Sequence, residues 1–394
     1  MNPAHKTYTI LGMRKFVSIF FIATFVVYFI TSPGKTPYDY FTRLADSFLQ
    51  GKYYIEDNPP WLSELVPTSN NRYYVIQPPM PAILATPFRY ILGDKFQQQY
   101  LAHMLGAGLV VLTMAIAYKI KKNIFLSIFA GVLIGFSSIV WYLASTGSVW
   151  YLGQICSAFF MSAAIYESLN KRRTLLVGMF LGSMFLSRLH TVLAFPFFLY
   201  LFYDKKYWFR NYFQIALGVL PFLLFNFYYN FVRFDTIFDK GYFLVPGIYS
   251  EPWFSKGMLN IAYIPEHLKL LFLKIPNFYS YPPYIQPSWY GLAIWITTPA
   301  FIFSLFAPIK ENLTKLTWLS IFFIFILLSL RGGTGWTQFG YRYAVDFYPL
   351  LTFLTIKGIV AMGLKKYHWI LLFIGIIVNL WGVLWINKFG WVGW

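Results

Sequence analysis

The chain has 394 residues, of which 58% are hydrophobic and only 12% charged. So few charges cannot cover the surface of soluble domains of this total length, so the composition points to a polytopic membrane protein. The net charge of +18 comes from 32 basic and 14 acidic residues. The basic residues fall in small groups between apolar stretches, which a membrane topology explains better than a nucleic-acid partner does.

The opening "MNPAHKTYTILGMRK" leads into a long apolar run without a small-residue cleavage site, so a retained first helix is expected. A helix needs roughly 20 apolar residues to cross the hydrocarbon core. Such runs lie near 14–32, 101–119, 124–142, 149–167, 174–187, 189–203, 212–232, 288–308, 316–330, 342–363 and 368–387, which predicts about eleven spans. With the N-terminus inside, one side collects Lys6, Arg14 and Lys15, then Lys119, Lys121 and Lys122, then Lys171, Arg172 and Arg173. Lys205, Lys206 and Arg210, Lys310 and Lys315, and Lys365 and Lys366 continue the series on the same side. Every turn on that side is short and basic, as cytoplasmic turns are.

The segment 80–93, "MPAILATPFRYILG", is apolar but short and contains Pro81 and Pro87. A crossing there would invert all later basic clusters, so it is expected to lie at the interface. The whole of 1–394 reads as one transmembrane domain with two long outer loops, 33–100 and 233–287. These loops hold Asp39, Asp46, Glu56, Asp57, Glu64, Asp94, Asp235, Asp239, Glu251 and Glu266, ten of the fourteen acids. Chemistry is expected in them, because loops on a rigid scaffold commonly carry function. The single cysteine, Cys156, lies in an apolar run and suggests neither an intramolecular disulfide nor a thiolate metal site. The Asn312 sequon falls on the inner side. No histidine pair has metal-ligand spacing and no close carboxylate cluster stands out, so no metal is expected.

In "YDYFTRLADSFLQG" (38–51), Asp39 and Asp46 are seven residues apart and share one face of a helix. The plain reading is an amphipathic surface helix, apolar through Phe41, Leu44, Phe48 and Leu49, with Asp39 and Arg43 as an i, i+4 pair. The alternative is that one carboxylate is a catalytic base. Arg342 and Arg188 lie at outer helix ends, where buried or interfacial cations need partners or ligands. Arg342 could pair with Asp346 one turn on, and Arg188 could snorkel to the interface. His190 reads as a packing residue before an acid-base group. Arg233 and Asp239 in "RFDTIFDKGY", Tyr341 in "QFGYRYAVDF" and Tyr281 in "FYSYPPYIQPSWYG" are possible substrate contacts. The aromatic run also fits a membrane-interface belt.

The order "LADSFLQG", "QPPMPAILATP", "SRLHTVLAFPFFLY", "NFVRFDTIFDKGY" and "QFGYRYAVDFYPLL" resembles the GT-C glycosyltransferases over most of the chain. It is similar to bacterial relatives of the protein O-mannosyltransferases (glycosyltransferase family 39) and of the lipid A aminoarabinose transferases. The resemblance implies an all-α bundle with interfacial helices in the first outer loop. It implies transfer of a sugar from a polyprenyl-phosphate carrier to an extracytoplasmic glycan, lipid or protein acceptor, without a cofactor. It places the enzyme in the plasma membrane, a bacterial inner membrane, with its site on the outer face. A carboxylate, Asp39 or Asp46, would act as base, and Arg342 and Arg188 would bind the donor phosphate. Many members have two adjacent acids at the first helix exit, whereas here Tyr40 follows Asp39. The alternative function is a transporter or flippase for a lipid-linked sugar, which should show midplane polar residues, broken helices and often repeated halves.

Overall fold

Eleven apolar runs must find a way to pack without burying their backbone polar groups unpaired, and helices do this within each run. The computed structural model describes residues 3–390 apart from Trp336, with side chains from Phe16 onward. The side chains of the first basic cluster, Lys6, Arg14 and Lys15, lie outside the described set. Helix α1 spans Pro3–Thr31, and α2, Tyr40–Leu49, follows it in the first outer loop. Strands β1 (Leu65–Thr68) and β2 (Arg72–Val75) form an antiparallel hairpin, and α3 (Met80–Leu92) completes the loop. The bundle continues with α4 (Gln98–Ile120), α5 (Ile124–Gly135), α6 (Val140–Thr146), α7 (Val149–Leu169), α8 (Thr174–Ser187), α9 (Phe195–Phe202) and α10 (Trp208–Phe234). The second outer loop carries short 3-10 turns, α11 (Ile264–Phe272) and a two-residue pair of strands, β3 (Asn277–Phe278) and β4 (Ile285–Gln286). Then come α12 (Ile294–Thr297), α13 (Asn312–Ser329), α14 (Tyr348–Met362) and α15 (Lys366–Val383).

All eleven predicted runs contain helix, and the chain is a multi-pass, mostly helical membrane protein with very little sheet. Six helices among the described residues are long and apolar enough to cross, and α5 with α6, bent by 56° at a short break, would make seven. Of the other four predicted spans, 174–187, 189–203 and 288–308 form shorter or divided helices, and 14–32 lies in the 29-residue α1, whose side chains are described only from Phe16 onward. The run 288–308 departs most from the expectation of one continuous helix. It is divided into α12 and a 3-10 helix, Pro299–Phe306. Pro299 lacks an N–H and pushes the preceding Thr298 out of the helical region, to φ −141° and ψ 68°.

The centre of the bundle is α7, which is largely buried, whereas α10 lies at its edge and presents Leu217, Leu220 and Leu224 outward. Between α8 and α10 the backbones nearly touch. A Cβ at Gly178 would collide with the Ile215 carbonyl, and one at Gly218 with the Leu175 carbonyl. Small residues allow this close approach where lipid supplies no hydrophobic drive for association.

The outer loops are tied down by specific contacts. Helix α2 packs on α3 through a fork from Arg89 to Asp46, at 2.7 and 2.6 Å, and Arg89 also donates to the Gly93 and Phe96 carbonyls. The hairpin turns through Asn70 and Asn71, at φ 61° and 54°, a region that asparagine tolerates. Val66 and Ile76 beside that hairpin pack with Val245, Ile248, Phe254 and Met258 of the second loop. This apolar satellite joins the two loops over one end of the bundle.

Candidate active site

The joined loops enclose a cavity of about 700 Å³. It draws on residues 33–38, 60–64, 146–151, 245–254 and 331–343, segments predicted to share the outer side. Two guanidinium groups line it. Arg342 is buried at 7% exposure, and Gln154 holds it twice, donating to its carbonyl at 2.8 Å and accepting from its side chain at 3.5 Å. Its carbon Cζ lies 4.7 Å from the Tyr343 ring, and Nε has no hydrogen-bond partner among the described residues. Arg331 donates to the Tyr343 hydroxyl at 3.4 Å and stacks over Tyr242 at 4.2 Å. Burial works against its charge, but Tyr343, Tyr242 and Glu64 together hold it firmly cationic. Neither guanidinium is within 4 Å of a carboxylate among the described residues.

Glu64 lines the same cavity. Gln77 Nε2, Trp150 Nε1 and the Tyr242 hydroxyl donate to its Oε2, at 2.6, 2.8 and 3.4 Å. Among the described residues Oε1 receives no hydrogen bond. The carboxylate is therefore fixed through one oxygen and open through the other. Trp61, Trp253 and Trp289 supply flat apolar wall, the surface on which sugar rings stack.

The expected site residues are distributed as follows. Asp39 and Asp46 line a separate cavity of about 220 Å³, which shares Lys35 and Thr36 with the larger one. Asp39 accepts from Arg43 Nε at 2.6 Å, and Arg43 also pairs with Asp57. Asp46 is forked by Arg89. Asp346 pairs with Arg188 and His190, each at 2.9 Å, and not with Arg342. Arg188 is thus committed to a buried carboxylate, and it approaches the cavity only through the Tyr343 ring, 5.9 Å away. Arg233 is buried and donates to the Val75 carbonyl at 2.6 Å, pinning the hairpin. Asp239 accepts from the Gly241 amide. Tyr341 is buried against His267, whose Nδ1 accepts its hydroxyl at 2.7 Å while Nε2 donates to the Arg331 carbonyl at 2.9 Å. Tyr281 is 60% exposed and away from the cavity. Among the described residues no three His, Cys, Asp or Glu come together as metal ligands.

Glu64 and Arg331 were not singled out from the sequence. Arg331 follows the predicted span 316–330 directly, so the rule that cations at outer helix ends need ligands would have found it. Glu64 sits between α2 and the hairpin with no motif around it, and only the fold brings it to the cavity.

Solved structures share the architecture. ArnT from Cupriavidus metallidurans, bound to undecaprenyl phosphate, matches with a TM-score of 0.56 at 14% identity, over 92% of this chain and 63% of that one. Its apo state matches with a TM-score of 0.55 at 14% identity, with the same coverage. The fold is ArnT-like. The GT-C resemblance read from the sequence is met at the level of architecture. This chain spans 63% of the length of those ArnT structures. No family model and no curated protein matches the sequence.

Proposed function

We propose that this protein is a membrane glycosyltransferase that moves a sugar from a polyprenyl-phosphate carrier to an extracytoplasmic acceptor. The observation that carries the proposal is one cavity, in an ArnT-like fold, that holds two guanidinium groups without carboxylate partners and one carboxylate with an open oxygen. Arg342 and Arg331 hold the carrier phosphate. Glu64 Oε1 takes the proton of the acceptor hydroxyl. The acceptor oxygen attacks the anomeric carbon, the bond from that carbon to the phosphate oxygen breaks, and its electron pair stays on the phosphate. The two guanidinium groups stabilise that developing charge. The undecaprenyl phosphate seen in ArnT is a carrier of the required kind, and its prenyl tail can stay in lipid.

A second assignment of the base has one observation in its favour. Asp39 stands at the first helix exit, where the family resemblance places an acid, and Lys35 and Thr36 just before it line both cavities. Glu64 is preferred because it faces the same space as Arg331 and Arg342, whereas Asp39 is engaged by Arg43. The test is turnover of a radiolabelled polyprenyl-phosphate sugar by purified wild-type, Glu64→Gln and Asp39→Asn proteins. Release of free polyprenyl phosphate supports transfer, and movement of intact donor across vesicles supports a transporter instead. Loss in Asp39→Asn with full turnover in Glu64→Gln moves the base to Asp39.

A further inference from the structure

The opposite end of the bundle carries a groove that the glycosyltransferase reading does not use. It lies where α8 begins and where α9 turns into α10, with a volume of about 650 Å³. The far end of α8 leads to Arg188 and the buried Asp346, so the groove and the candidate active site are a full helix apart. Arg172 and Arg210 line it together with Tyr200, Tyr203, Tyr207 and Asn211.

Its cations are exposed and held in place by neighbouring groups. Arg172 donates to the Leu201 carbonyl at 2.5 Å, and its Cζ lies 5.3 Å from the Phe202 ring. Arg210 stacks over Tyr207 at 4.7 Å, and Lys206 lies 5.2 Å from the same ring. Among the described residues neither arginine is within 4 Å of a carboxylate. One acid lines the groove. Asp204 is occupied by the backbone, accepting from the Lys206 and Tyr207 amides at 2.8 and 2.9 Å. Lys171, Lys205 and Lys206 add positive charge nearby. Tyr203, Tyr207, Trp208 and Phe209 are exposed around it, which is the composition of a membrane interface.

We infer that this groove binds the headgroup of an anionic phospholipid. Positive charge on the cytoplasmic side would by itself be satisfied by topology alone. Here, though, two guanidinium groups line one concavity, each beside an aromatic ring, together with three tyrosines and Asn211, whose amide donates to the Phe202 carbonyl at 3.0 Å. Such basic pockets between helices suit a phosphodiester with a hydroxylated headgroup, and arginine forks bind phosphate in two-point contacts. The acyl chains run down the apolar outer face of α10.

The probe is the full chain reconstituted in nanodiscs of phosphatidylcholine, with or without phosphatidylglycerol, followed by hydrogen exchange over 199–212. Phosphatidylglycerol is expected to slow exchange at 203–211 by about tenfold, equivalent to ~1.4 kcal/mol. In Arg172→Gln/Arg210→Gln protein the slowing disappears, while release of polyprenyl phosphate is unchanged. Equal exchange in both lipid compositions overturns the inference on the wild-type chain alone. Equal slowing by inorganic phosphate in phosphatidylcholine discs identifies an adventitious ion only, and that also overturns it. Slowing that persists in the double variant does the same.

Discussion

A guanidinium placed in a half-dry cavity without a carboxylate costs free energy that an anionic ligand removes. Arg342 is in that position, and Arg331 shares its cavity with Glu64 without forming an ion pair to it, whereas Arg188, which looked equivalent in the sequence, has its carboxylate already. Arg342→Lys keeps the charge and loses the planar fork. Donor affinity should fall about tenfold, ~1.4 kcal/mol, with the fold intact. Unchanged affinity in a donor-binding titration would remove Arg342 from the phosphate site. His267 provides a pH dependence. It lies in the second outer loop, its Nε2–H donates to the Arg331 carbonyl, and its Nδ1 accepts from Tyr341, so it is neutral. Burial holds its pKa below the ordinary value of 6.5. The folded state therefore binds fewer protons than the unfolded chain below that pH. The stabilisation is complete above pH 6.5 and is lost as pH falls through the lowered folded-state pKa. Wild-type thermal stability should drop across that window, and the drop should be smaller in His267→Asn. Parallel pH profiles for the two proteins would contradict this. Arg342 was legible in the sequence because a cation at an outer helix end is conspicuous. The partner of Asp346 was not, because a helical repeat suggests Arg342 four residues before it. The chain instead enters α14 through a 3-10 turn, and Arg188 and His190 come from 158 and 156 residues away.

At the level of elements, hydrophobic run length located helices well. The predicted 174–187 and the observed α8, Thr174–Ser187, coincide. What run length does not encode is where a helix breaks. Pro299 divides the run 288–308, and Ser137 and Ser138 lie at the bend between α5 and α6, where their hydroxyls donate to the Leu372 and Ile134 carbonyls. The hairpin β1–β2 has no counterpart among the expected elements, because its four-residue strands carry little periodicity. The α8–α10 contact yields a direct prediction. Gly178→Leu must push apart two backbones in contact, and overpacking of this kind costs about 1–3 kcal/mol. A lowered melting temperature in detergent is expected. Gly363→Ala is the comparison for space alone, since nothing lies within 4 Å of a Cβ at Gly363, although its φ of 74° adds some strain. If Gly178→Leu melts like the wild type, the close approach of α8 and α10 is not real.

Across the whole molecule, the charge pattern divides the segments between two predicted sides. The segments that form the cavity are those predicted outside, and the basic groove of Arg172 and Arg210 is built from segments predicted inside. A cysteine introduced at Lys171 should resist a membrane-impermeant thiol reagent applied to intact cells, and one at Glu251 should react. The reverse labelling would invert the topology and move the candidate site to the cytoplasmic face. The overall architecture was legible because composition, run length and motif order all bear on it. The place of Glu64, the base proposed here, was not, because Glu64 reaches the cavity only when the hairpin, Trp150 and the second outer loop close around it. The most direct test of the central claim is therefore the rate at which purified protein releases polyprenyl phosphate from a radiolabelled polyprenyl-phosphate sugar, measured alongside donor binding in Glu64→Gln. A general base contributes about 10²–10⁴-fold to rate. The expected result is a loss on that scale in Glu64→Gln with donor affinity retained, and full turnover by Glu64→Gln would contradict the account.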